Sequence, residues 1–397
     1  MAKTVAIIGA GKIGRGYLAD LFHDAGYHIV FIDISTALVD KLNTASMYTL
    51  FVTGNKGTEK KIISNFEAVS AERNFDNAAK MIAKVDLACA AIYPDAFTSV
   101  ASQLAAAIKH CIATGRDKPL NVFFFANKVY VAKKIRNLIE ENLKDQAEKD
   151  YLKNNVGLIE SLTTRGGVNP TPEMLAEDPL CISSSEGRVM PVGNNYVGET
   201  PDMPFMQFMD RIEGRLIKKV WCGNMLHVTL AAIGWHRGYR YNSECACDPY
   251  IRKIVNYAFD EANLSVGNEF GFTLQEQQEN KDRYFSILFD CAVADDLLRL
   301  LADPLRKLSR DDRLIGPALL CLKHGILPYF LARGAAYLLL FNSESDSASV
   351  KMQNLVRKQG VEEAILNICG LNQEEENDRL LCQLIISHYK EIVDKAG

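Results

Sequence analysis

Short apolar runs alternate with amphipathic segments along the first half of the chain. The runs are rich in β-branched residues, which is typical of buried parallel strands. Strands are predicted at Thr4–Ile8, His28–Asp33, Tyr48–Val52, Lys61–Ile63, Val85–Ile92, Leu120–Phe125, Gly157–Glu160 and Leu180–Ser184, and helices at Arg15–Ala25, Leu38–Asn43, Ala96–Cys111 and Val131–Leu143. This alternation predicts an α/β fold with a doubly wound sheet over residues 1–198.

The pattern changes after residues 193–204, a segment rich in Gly, Asn and Pro that we interpret as a linker. Beyond it, apolar positions recur with the 3.6-residue period of helices. These helices are predicted at Phe205–Ile217, Met225–Ile233, Pro249–Ala262, Leu274–Leu288, Ala292–Leu301, Ala318–His324, Tyr329–Phe341, Val350–Lys358 and Asp378–Val393. The second domain, residues 199–397, should therefore be mostly α-helical and carry the substrate and catalytic residues.

Composition and charge narrow the function classes. The 397 residues are 48% hydrophobic and 24% charged, as in an ordinary globular protein. A net charge of −4 provides no electrostatic footprint for nucleic acid or an anionic membrane surface, so we expect a small-molecule substrate and a monomer or small homo-oligomer. No run approaches the roughly 20 apolar residues that cross a bilayer, which predicts a cytoplasmic protein. The ten cysteines include no C-x-x-C pair, so no metal site is expected.

The first predicted strand leads into Gly9-Ala-Gly-Lys-Ile-Gly14, which fits the G-x-G-x-x-G pattern of Rossmann-type dinucleotide-binding loops. A helix follows the loop, and the next strand ends in Asp33. That carboxylate could hydrogen-bond the ribose hydroxyls and would repel a 2′-phosphate, which favours NAD over NADP. A Gly-rich turn in an unrelated α/β protein is the alternative. The candidate cofactor-binding residues of this region are Gly9, Gly11, Lys12, Ile13, Gly14 and Asp33.

Asn127 joins this group as a further candidate, because it follows the predicted strand Leu120–Phe125. An asparagine just outside the carboxyl end of a strand lies where α/β proteins bind their ligands. A role as the cap of a turn or helix is at least an equal alternative on local grounds.

Lys219, Asn224 and His227 lie within a largely apolar run between residues 217 and 233. On a regular α-helix, at about 100° per residue, His227 would be about 80° and Asn224 about 140° from Lys219. One arc could therefore hold an amine, an amide and an imidazole. Apolar surroundings lower the pKa of a lysine towards the range of a general base, and the other two groups could bind an oxygen on which charge builds. Spacing alone leaves open a half-buried helix with three incidental polar residues.

With these motifs in view, the chain resembles the polyol-specific long-chain dehydrogenases. Three blocks carry the resemblance: the Gly-rich loop running on to Asp33, the K-x-x-x-x-N-x-x-H pattern of Lys219–His227, and the run Asp303–Pro317 with its "PLRKLS" and "DRL". The third block is more similar to the branch that acts on sugar phosphates than to the mannitol 2-dehydrogenase branch. Similarity in length and domain order extends over nearly the whole chain.

The resemblance implies an NAD-dependent, metal-independent dehydrogenase. Its reaction would interconvert a sugar-alcohol phosphate and a ketose phosphate, most simply mannitol 1-phosphate and fructose 6-phosphate. Lys219 would take the proton of the substrate hydroxyl, while Asn224 and His227 would bind the reacting oxygen. Asn127 matches a second asparagine that the family places near that oxygen.

The sequence departs from the family pattern around the expected substrate pocket. The run Thr163-Thr-Arg165-Gly-Gly-Val-Asn-Pro170 replaces V-D-R-I-x-P, so the arginine is kept, the preceding acid is lost and two glycines are expected to loosen the turn. Ala126 stands where glutamate is common. These changes leave three alternatives open: a free-polyol 2-dehydrogenase, a hexuronate reductase with the same catalytic residues, and a non-catalytic NAD-binding sensor.

Cations that could bind a phosphate or carboxylate are predicted in several places. Arg165, His236, Arg237 and Arg240 are the candidate substrate-binding residues. For the last three, the alternative is a set of surface cations at the C-terminus of a helix. The cations of the third motif block could face a substrate phosphate or lock helices together through the neighbouring aspartates.

Overall fold

A computed structural model describes residues 3–54, 57–126, 128–289 and 294–396. The chain separates into two compact units, Met1–Glu213 and Gly214–Gly397. The sequence predicts the boundary between residues 198 and 199, whereas the units divide after Glu213. The strand pairing described below provides the reason for this difference.

The described residues form twelve strands. In chain order they are β1 (Thr4–Ile8), β2 (His28–Asp33), β3 (Tyr48–Gly54), β4 (Gly57–Ile63), β5 (Phe66–Ser70), β6 (Leu87–Ala90), β7 (Leu120–Phe124), β8 (Val156–Glu160), β9 (Gly167–Val168), β10 (Ile182–Ser185), β11 (Met190–Gly193) and β12 (Met206–Met209).

Six of these strands form a parallel sheet in the first unit, in the order β5-β2-β1-β6-β7-β8. Counted within this sheet alone, the order is 3-2-1-4-5-6, that of doubly wound dinucleotide-binding folds. Val5 and Ile7 of β1 pack into one core, and Ala6 and Ile8 pack into a second core on the other face. Because both faces are covered, the strands are apolar throughout, and the predicted fold class is confirmed.

Two smaller sheets complete the first unit and account for where it ends. One has the order β4-β3-β10-β9, and in the other β11 pairs in parallel with β12. Residues 193–204, predicted as a linker, therefore connect two paired strands and belong to the first unit. The helix predicted at Phe205–Ile217 is wrong in its first part, which forms β12, and helical structure begins at Ile212.

The described residues also form nineteen α-helices. In chain order they are α1 (Ala19–Asp24), α2 (Thr36–Ala45), α3 (Phe75–Lys84), α4 (Phe97–Ala113), α5 (Val131–Asn142), α6 (Gln146–Asn155), α7 (Pro172–Glu177), α8 (Ile212–Ile217), α9 (Met225–His236), α10 (Asn242–Cys247), α11 (Pro249–Phe270), α12 (Leu274–Leu288), α13 (Leu297–Leu301), α14 (Pro304–Lys307), α15 (Ile315–Lys323), α16 (Tyr329–Leu339), α17 (Ser347–Gln359), α18 (Val361–Cys369) and α19 (Glu376–Ala396). Two π-helical turns, Gly14–Leu18 and Lys218–Asn224, and a 3₁₀ turn, Pro94–Ala96, complete the set.

The second unit is mostly helical, as predicted, and α9 lies at its centre. This helix packs against α10, α11, α13 and α16, and its residues 228–234 are all buried. A helix that is apolar on every side must be surrounded by other elements, which explains its position. Within the described ranges, no helix combines the length and the apolar character that crossing a membrane requires.

Candidate active site

The Gly-rich loop after β1 has the backbone geometry that its glycines make possible. Gly9 has a φ of +94°, and its N–H donates to the carbonyl oxygen of Ile32 (2.8 Å). A side chain on Gly14 would collide with the carbonyl oxygen of Gly9. Glycine at both positions therefore permits the tight turn and the close packing of helix on strand that the pattern predicts.

A Cβ on Gly11 would point into open space, since no atom beyond the adjacent residues of the chain lies within 4 Å of the position it would take. Residues 12–24 are helical and begin directly after it, with Lys12 exposed and Ile13 half-buried. The N–H groups of a first helical turn have no acceptors within the helix and carry partial positive charge. Open space beside such a turn suits the pyrophosphate of a dinucleotide.

Asp33 ends β2 and is tied to the Gly-rich loop. Its Oδ2 accepts the N–H of Ala10 (2.8 Å), and its Oδ1 accepts the N–H of Ser35 (2.8 Å). An ionised carboxylate has about four acceptor positions, so each oxygen keeps capacity for a ribose hydroxyl. The two backbone bonds fix the orientation of the carboxylate beside the loop.

The carboxyl ends of β7 and β8 each contribute one polar residue of interest, the predicted Asn127 and a buried glutamate that was not predicted. Asn127 lies outside the described residues. Glu160, the last residue of β8, is buried and accepts the N–H of Ala132 at the start of α5 (2.8 Å). Burial raises the pKa of Glu160 to about 7. A single acid closing an apolar strand was the available sequence signal for this buried group.

Lys219, Asn224 and His227 lie on one helical run that covers residues 212–236. Within this run, Lys218–Asn224 form a π-helical turn, in which groups five residues apart are hydrogen-bonded. The sequence prediction assumed regular α-helical geometry, which would place Lys219 and Asn224 about 140° apart. The π-helical turn corrects that estimate, because its wider turn brings residues five apart towards the same face.

Burial marks the same face. From Val220 to Gly234 every residue is buried except Asn224 and His227, which are half-buried, as is Lys219. Within residues 219–234, the amine, the amide and the imidazole are therefore the half-buried groups of an otherwise buried stretch of helix. We refer to Lys219, Asn224 and His227 as the polar face.

The polar face favours neutral forms of its titratable groups. Burial lowers the pKa of Lys219, and within the described ranges no carboxylate pairs with its amine. Burial also lowers the pKa of His227, against the opposing effect of the negative charge on Asp295. Asp295 is itself bound by Nε of Arg299 (2.6 Å). A neutral amine can take a proton, and a neutral imidazole still donates one N–H.

Three of the cations predicted to bind substrate are not grouped with the polar face. His236 lies nine residues beyond His227 on α9, which is about 13 Å along and 180° around the helix. Arg237 pairs with Asp248 (2.8 Å), the N-cap of α11, and Arg240 is exposed. These positions fit the alternative of surface cations near a helix C-terminus.

Arg165, the fourth predicted cation, is buried in the first unit. Its Nη1 donates to Oδ2 of Asp20 (2.7 Å) and to the carbonyl of Gly16 (2.8 Å), and its Nε donates to the carbonyl of Gly187 (3.1 Å). Burial alone would raise the pKa of Asp20, but Lys61 and Arg165 hold it below its usual value. The structure thus gives Arg165 three partners within the first unit, and its contact with substrate stays a prediction.

The cations of the third motif block are likewise bound within the second unit. Nε of Arg306 pairs with Asp303 (2.9 Å), and Nε of Arg313 pairs with the preceding aspartate (2.8 Å). Lys307 is buried and donates to the carbonyl of Leu300 (2.8 Å), and burial lowers the pKa of its amine to about 7. The two arginines thus pair with aspartates of their own motif block, and Lys307 donates a hydrogen bond to α13; contact with a substrate phosphate stays a prediction.

Two family models match the chain, one on each side of the boundary between the units. The mannitol dehydrogenase Rossmann domain matches residues 3–186, and the mannitol dehydrogenase C-terminal domain matches residues 215–393. The chain belongs to the mannitol dehydrogenase family. Membership confirms the family predicted from the three motif blocks, and it makes the protein an oxidoreductase that acts on the CH–OH group of a sugar alcohol.

Several members of the family are similar over nearly the whole chain. Mannitol-1-phosphate 5-dehydrogenase from Thermoanaerobacter pseudethanolicus is 28% identical over 395 residues, which are 99% of this chain and 98% of the relative. The enzyme of the same name from Bacillus licheniformis is 27% identical over 383 residues, with 96% and 98% covered.

Two solved dehydrogenase structures share the fold of the chain. The ternary complex of Pseudomonas fluorescens mannitol 2-dehydrogenase with NAD and D-mannitol has a TM-score of 0.75 and 16% identity, covering 100% of this chain and 92% of that one. A substrate-free D-sorbitol dehydrogenase has a TM-score of 0.72 and 14% identity, with 100% and 94% covered. At these identities the likeness concerns the fold alone.

Residues 163–170, where this family member departs from the motif pattern, are built into a sheet. Gly167–Val168 form β9, which pairs with β10. A Cβ on Gly167 would lie 2.7 Å from Cβ of Lys12, and Nζ of Lys12 donates to Oδ1 of Asn169. The glycines were expected to loosen this turn. Gly167 in fact allows the segment to pack closely against the Gly-rich loop.

Potential metal ligands do not gather anywhere in the described part of the chain: no three His, Cys, Asp or Glu side chains form a group that could hold an ion. The nine cysteines within the described ranges are free thiols, and eight of them are buried.

Proposed function

We propose that the protein is an NAD-dependent dehydrogenase that interconverts mannitol 1-phosphate and fructose 6-phosphate. The observation that carries the proposal is the polar face, where an amine, an amide and an imidazole lie half-buried on the otherwise buried helical stretch 219–234. Relatives named mannitol-1-phosphate 5-dehydrogenase match nearly the full chain, which supports a phosphorylated substrate. Family membership supplies the reaction class.

NAD is the cofactor that the first unit fits. The open space beside Gly11 would receive the pyrophosphate, and the oriented carboxylate of Asp33 would bind the ribose hydroxyls. A 2′-phosphate would meet that negative charge, which disfavours NADP. The related mannitol 2-dehydrogenase was solved with NAD. When bound, NAD accepts a hydride from the carbinol carbon of the substrate.

Lys219 is the base in this proposal. Its neutral amine takes the hydroxyl proton as the carbonyl forms, and in the opposite direction its ammonium returns that proton to the carbonyl oxygen. Burial lowers its pKa and so increases the neutral fraction available near neutral pH. Asn224 and neutral His227 donate hydrogen bonds to the reacting oxygen while negative charge develops on it. The predicted place of Asn127 near this oxygen remains a prediction.

The deciding experiment is to follow NADH oxidation by the purified protein with fructose 6-phosphate and with free fructose in parallel. We expect turnover with the phosphorylated ketose and little or none with fructose. A preparation carrying Lys219→Ala, assayed in the same way, controls for contaminating dehydrogenases.

Other outcomes would contradict the proposal in distinct ways. Turnover with fructose alone would make the protein a free-polyol 2-dehydrogenase. Measurable NADH binding without turnover of either ketose would point to a hexuronate reductase, which an assay with hexuronates would reveal. Failure with hexuronates as well would favour the non-catalytic NAD-binding sensor.

A further inference from the structure

The third motif block, Asp303–Pro317, has no part in the proposed chemistry, yet it contacts the catalytic helix. Trp221 lies inside the π-helical turn, is buried, and donates its Nε1–H to the carbonyl of Asp311 (3.2 Å). Its ring covers Gly316, where a Cβ would lie 2.6 Å from both Cε2 and Cζ2 of the indole. The motif block therefore holds the π-helical turn two residues away from Lys219.

A second contact of the same kind lies on α12. Gly223 belongs to the same turn, and a Cβ on it would lie 2.5 Å from Cε1 of Tyr284. The turn therefore makes two contacts between an aromatic ring and a glycine: its own Trp221 packs on Gly316, and Tyr284 packs on its own Gly223. Because π-helical turns are rare within α-helices, and frequent at functional sites, we expect such a turn to depend on tertiary contacts.

We propose that Trp221 is a positioning residue for Lys219. Its hydrogen bond to Asp311 and its packing on Gly316 hold the π-helical turn in place. This clamp keeps the amine of Lys219 on the same side of the helix as Asn224. Without the clamp, the turn relaxes towards regular α-helix, in which Lys219 and Asn224 are about 140° apart. This inference rests on the proposed function, in which Lys219 is the base. It gives the third motif block the role of holding Trp221 and, through it, the π-helical turn.

The test compares two substitutions of the same type. Trp221→Phe removes the N–H that donates to Asp311 and part of the contact with Gly316. The control is Trp235→Phe, which changes the only other tryptophan of the chain; Trp235 lies on α9 and packs edge-on against Phe341. We expect Trp221→Phe to lower kcat by about 10²-fold, since a misplacement of about 1 Å can cost that much. NADH affinity should be unchanged, and Trp235→Phe should keep the wild-type kcat.

A double-mutant cycle separates a positioning role from general damage to the fold. If Trp221 acts through Lys219, adding Trp221→Phe to Lys219→Ala should cause no further loss of kcat. An equal fold-loss in the wild-type and Lys219→Ala backgrounds would overturn the proposal. Gly316→Ala should reproduce the effect of Trp221→Phe, because the added Cβ forces the indole away from its place.

A titration that needs no turnover keeps this test independent of the proposed function. Lysines carrying isotope-labelled methyl groups can be titrated by NMR, with the Lys219 resonance assigned by its loss in Lys219→Arg and so distinguished from that of Lys307. The pKa of Lys219 should rise towards its ordinary value in Trp221→Phe and stay lowered in Trp235→Phe. An unchanged titration in Trp221→Phe would overturn the clamp, whether or not the enzyme turns over a sugar phosphate.

Discussion

Lys219 owes its proposed role to what surrounds it rather than to its residue type alone. Lys307 is buried and its amine donates to a backbone carbonyl, whereas Lys219 is half-buried and no described acceptor binds its amine. A lysine whose pKa is lowered by burial and whose amine has no fixed partner can exchange a proton with a ligand. In the proposed function, Lys219 is therefore the proton-transfer group and Lys307 is not.

Lys219→Ala should lower kcat by about 10²- to 10⁴-fold, the range that a general base typically contributes. NADH binding should stay nearly intact, because the Gly-rich loop and Asp33 are not touched. Steady-state kinetics and NADH fluorescence titration measure the two effects separately. A loss of kcat smaller than about tenfold would contradict the assignment of the base.

The direction of the pKa shift also determines the pH profile. Oxidation of the alcohol needs the neutral amine, so its rate should rise with pH through the lowered pKa of Lys219. Reduction of the ketose needs the ammonium form and should fall over the same interval. We therefore expect the two rates to change in opposite directions around the same pH, and we expect neither change in Lys219→Ala.

Two glycines of the Gly-rich loop, Gly11 and Gly14, differ in the space around them. A Cβ on Gly11 would meet no atom, whereas a Cβ on Gly14 would meet the carbonyl of Gly9. The two glycines of one motif therefore serve different purposes. Gly14 leaves room for the protein itself, and in the proposed function Gly11 leaves room for the cofactor.

Gly11→Ala should leave the melting temperature of the ligand-free protein unchanged but abolish its rise with NADH, because the methyl group occupies the space for the pyrophosphate. A ligand at 100 times its Kd stabilises by about 2.7 kcal/mol, which is readily measured. Gly14→Ala, the matched control, should destabilise the ligand-free protein by about 1–3 kcal/mol through overpacking. A full NADH-induced shift in Gly11→Ala would place the pyrophosphate elsewhere.

Elements differed in how far the sequence could predict them. β1 and β2 are found where predicted, because strands covered on both faces appear as continuous apolar runs. β5 was missed: it lies at the edge of the sheet, with Glu67 exposed, and so lacks such a run. The π-helical turn is not evident from the sequence because α9, which continues it, is apolar on nearly every side and so lacks the periodicity that would reveal a change of helix type.

At the scale of the molecule, local motifs were predictable and long-range partners were not. The Gly-rich loop and the polar face are contained in stretches of a few residues, so their spacing carries the information. Arg165 pairs with Asp20, which is 145 positions away in the sequence, and no local pattern predicts that pair. The unit boundary was displaced for the same reason, since the pairing of β11 with β12 depends on tertiary structure.

The stability of the whole molecule should depend on pH through His388 of α19. Nη1 of Arg333 contacts Nδ1 of this buried imidazole (3.2 Å), and since a guanidinium only donates, Nδ1 must accept. The ring of Tyr329 (4.4 Å between centroids) and the carboxylate of Glu391 (3.6 Å from Nδ1) also face it. Burial, with Arg333, lowers the pKa of His388 despite the carboxylate.

A lowered folded-state pKa means that the unfolded chain binds the proton more readily. The resulting stabilisation is complete above the unfolded pKa of about 6.5 and is lost as the pH falls towards the folded-state value. Between about pH 7.5 and about pH 5.5, the melting temperature of wild type should therefore fall further than that of His388→Gln. Parallel decreases in the two proteins would show that His388 does not contribute.

The π-helical turn also affects how relatives are compared. Such a turn contains one residue more than an α-helical turn, so its presence depends on the number of residues between the lysine and the asparagine. A relative that lacked one residue there would keep all three side chains of the motif and form an unbroken α-helix. An alignment would bridge the difference with a single gap and report an intact motif. Insertions and deletions in this interval are therefore a better marker of an inactive homologue than substitutions around it.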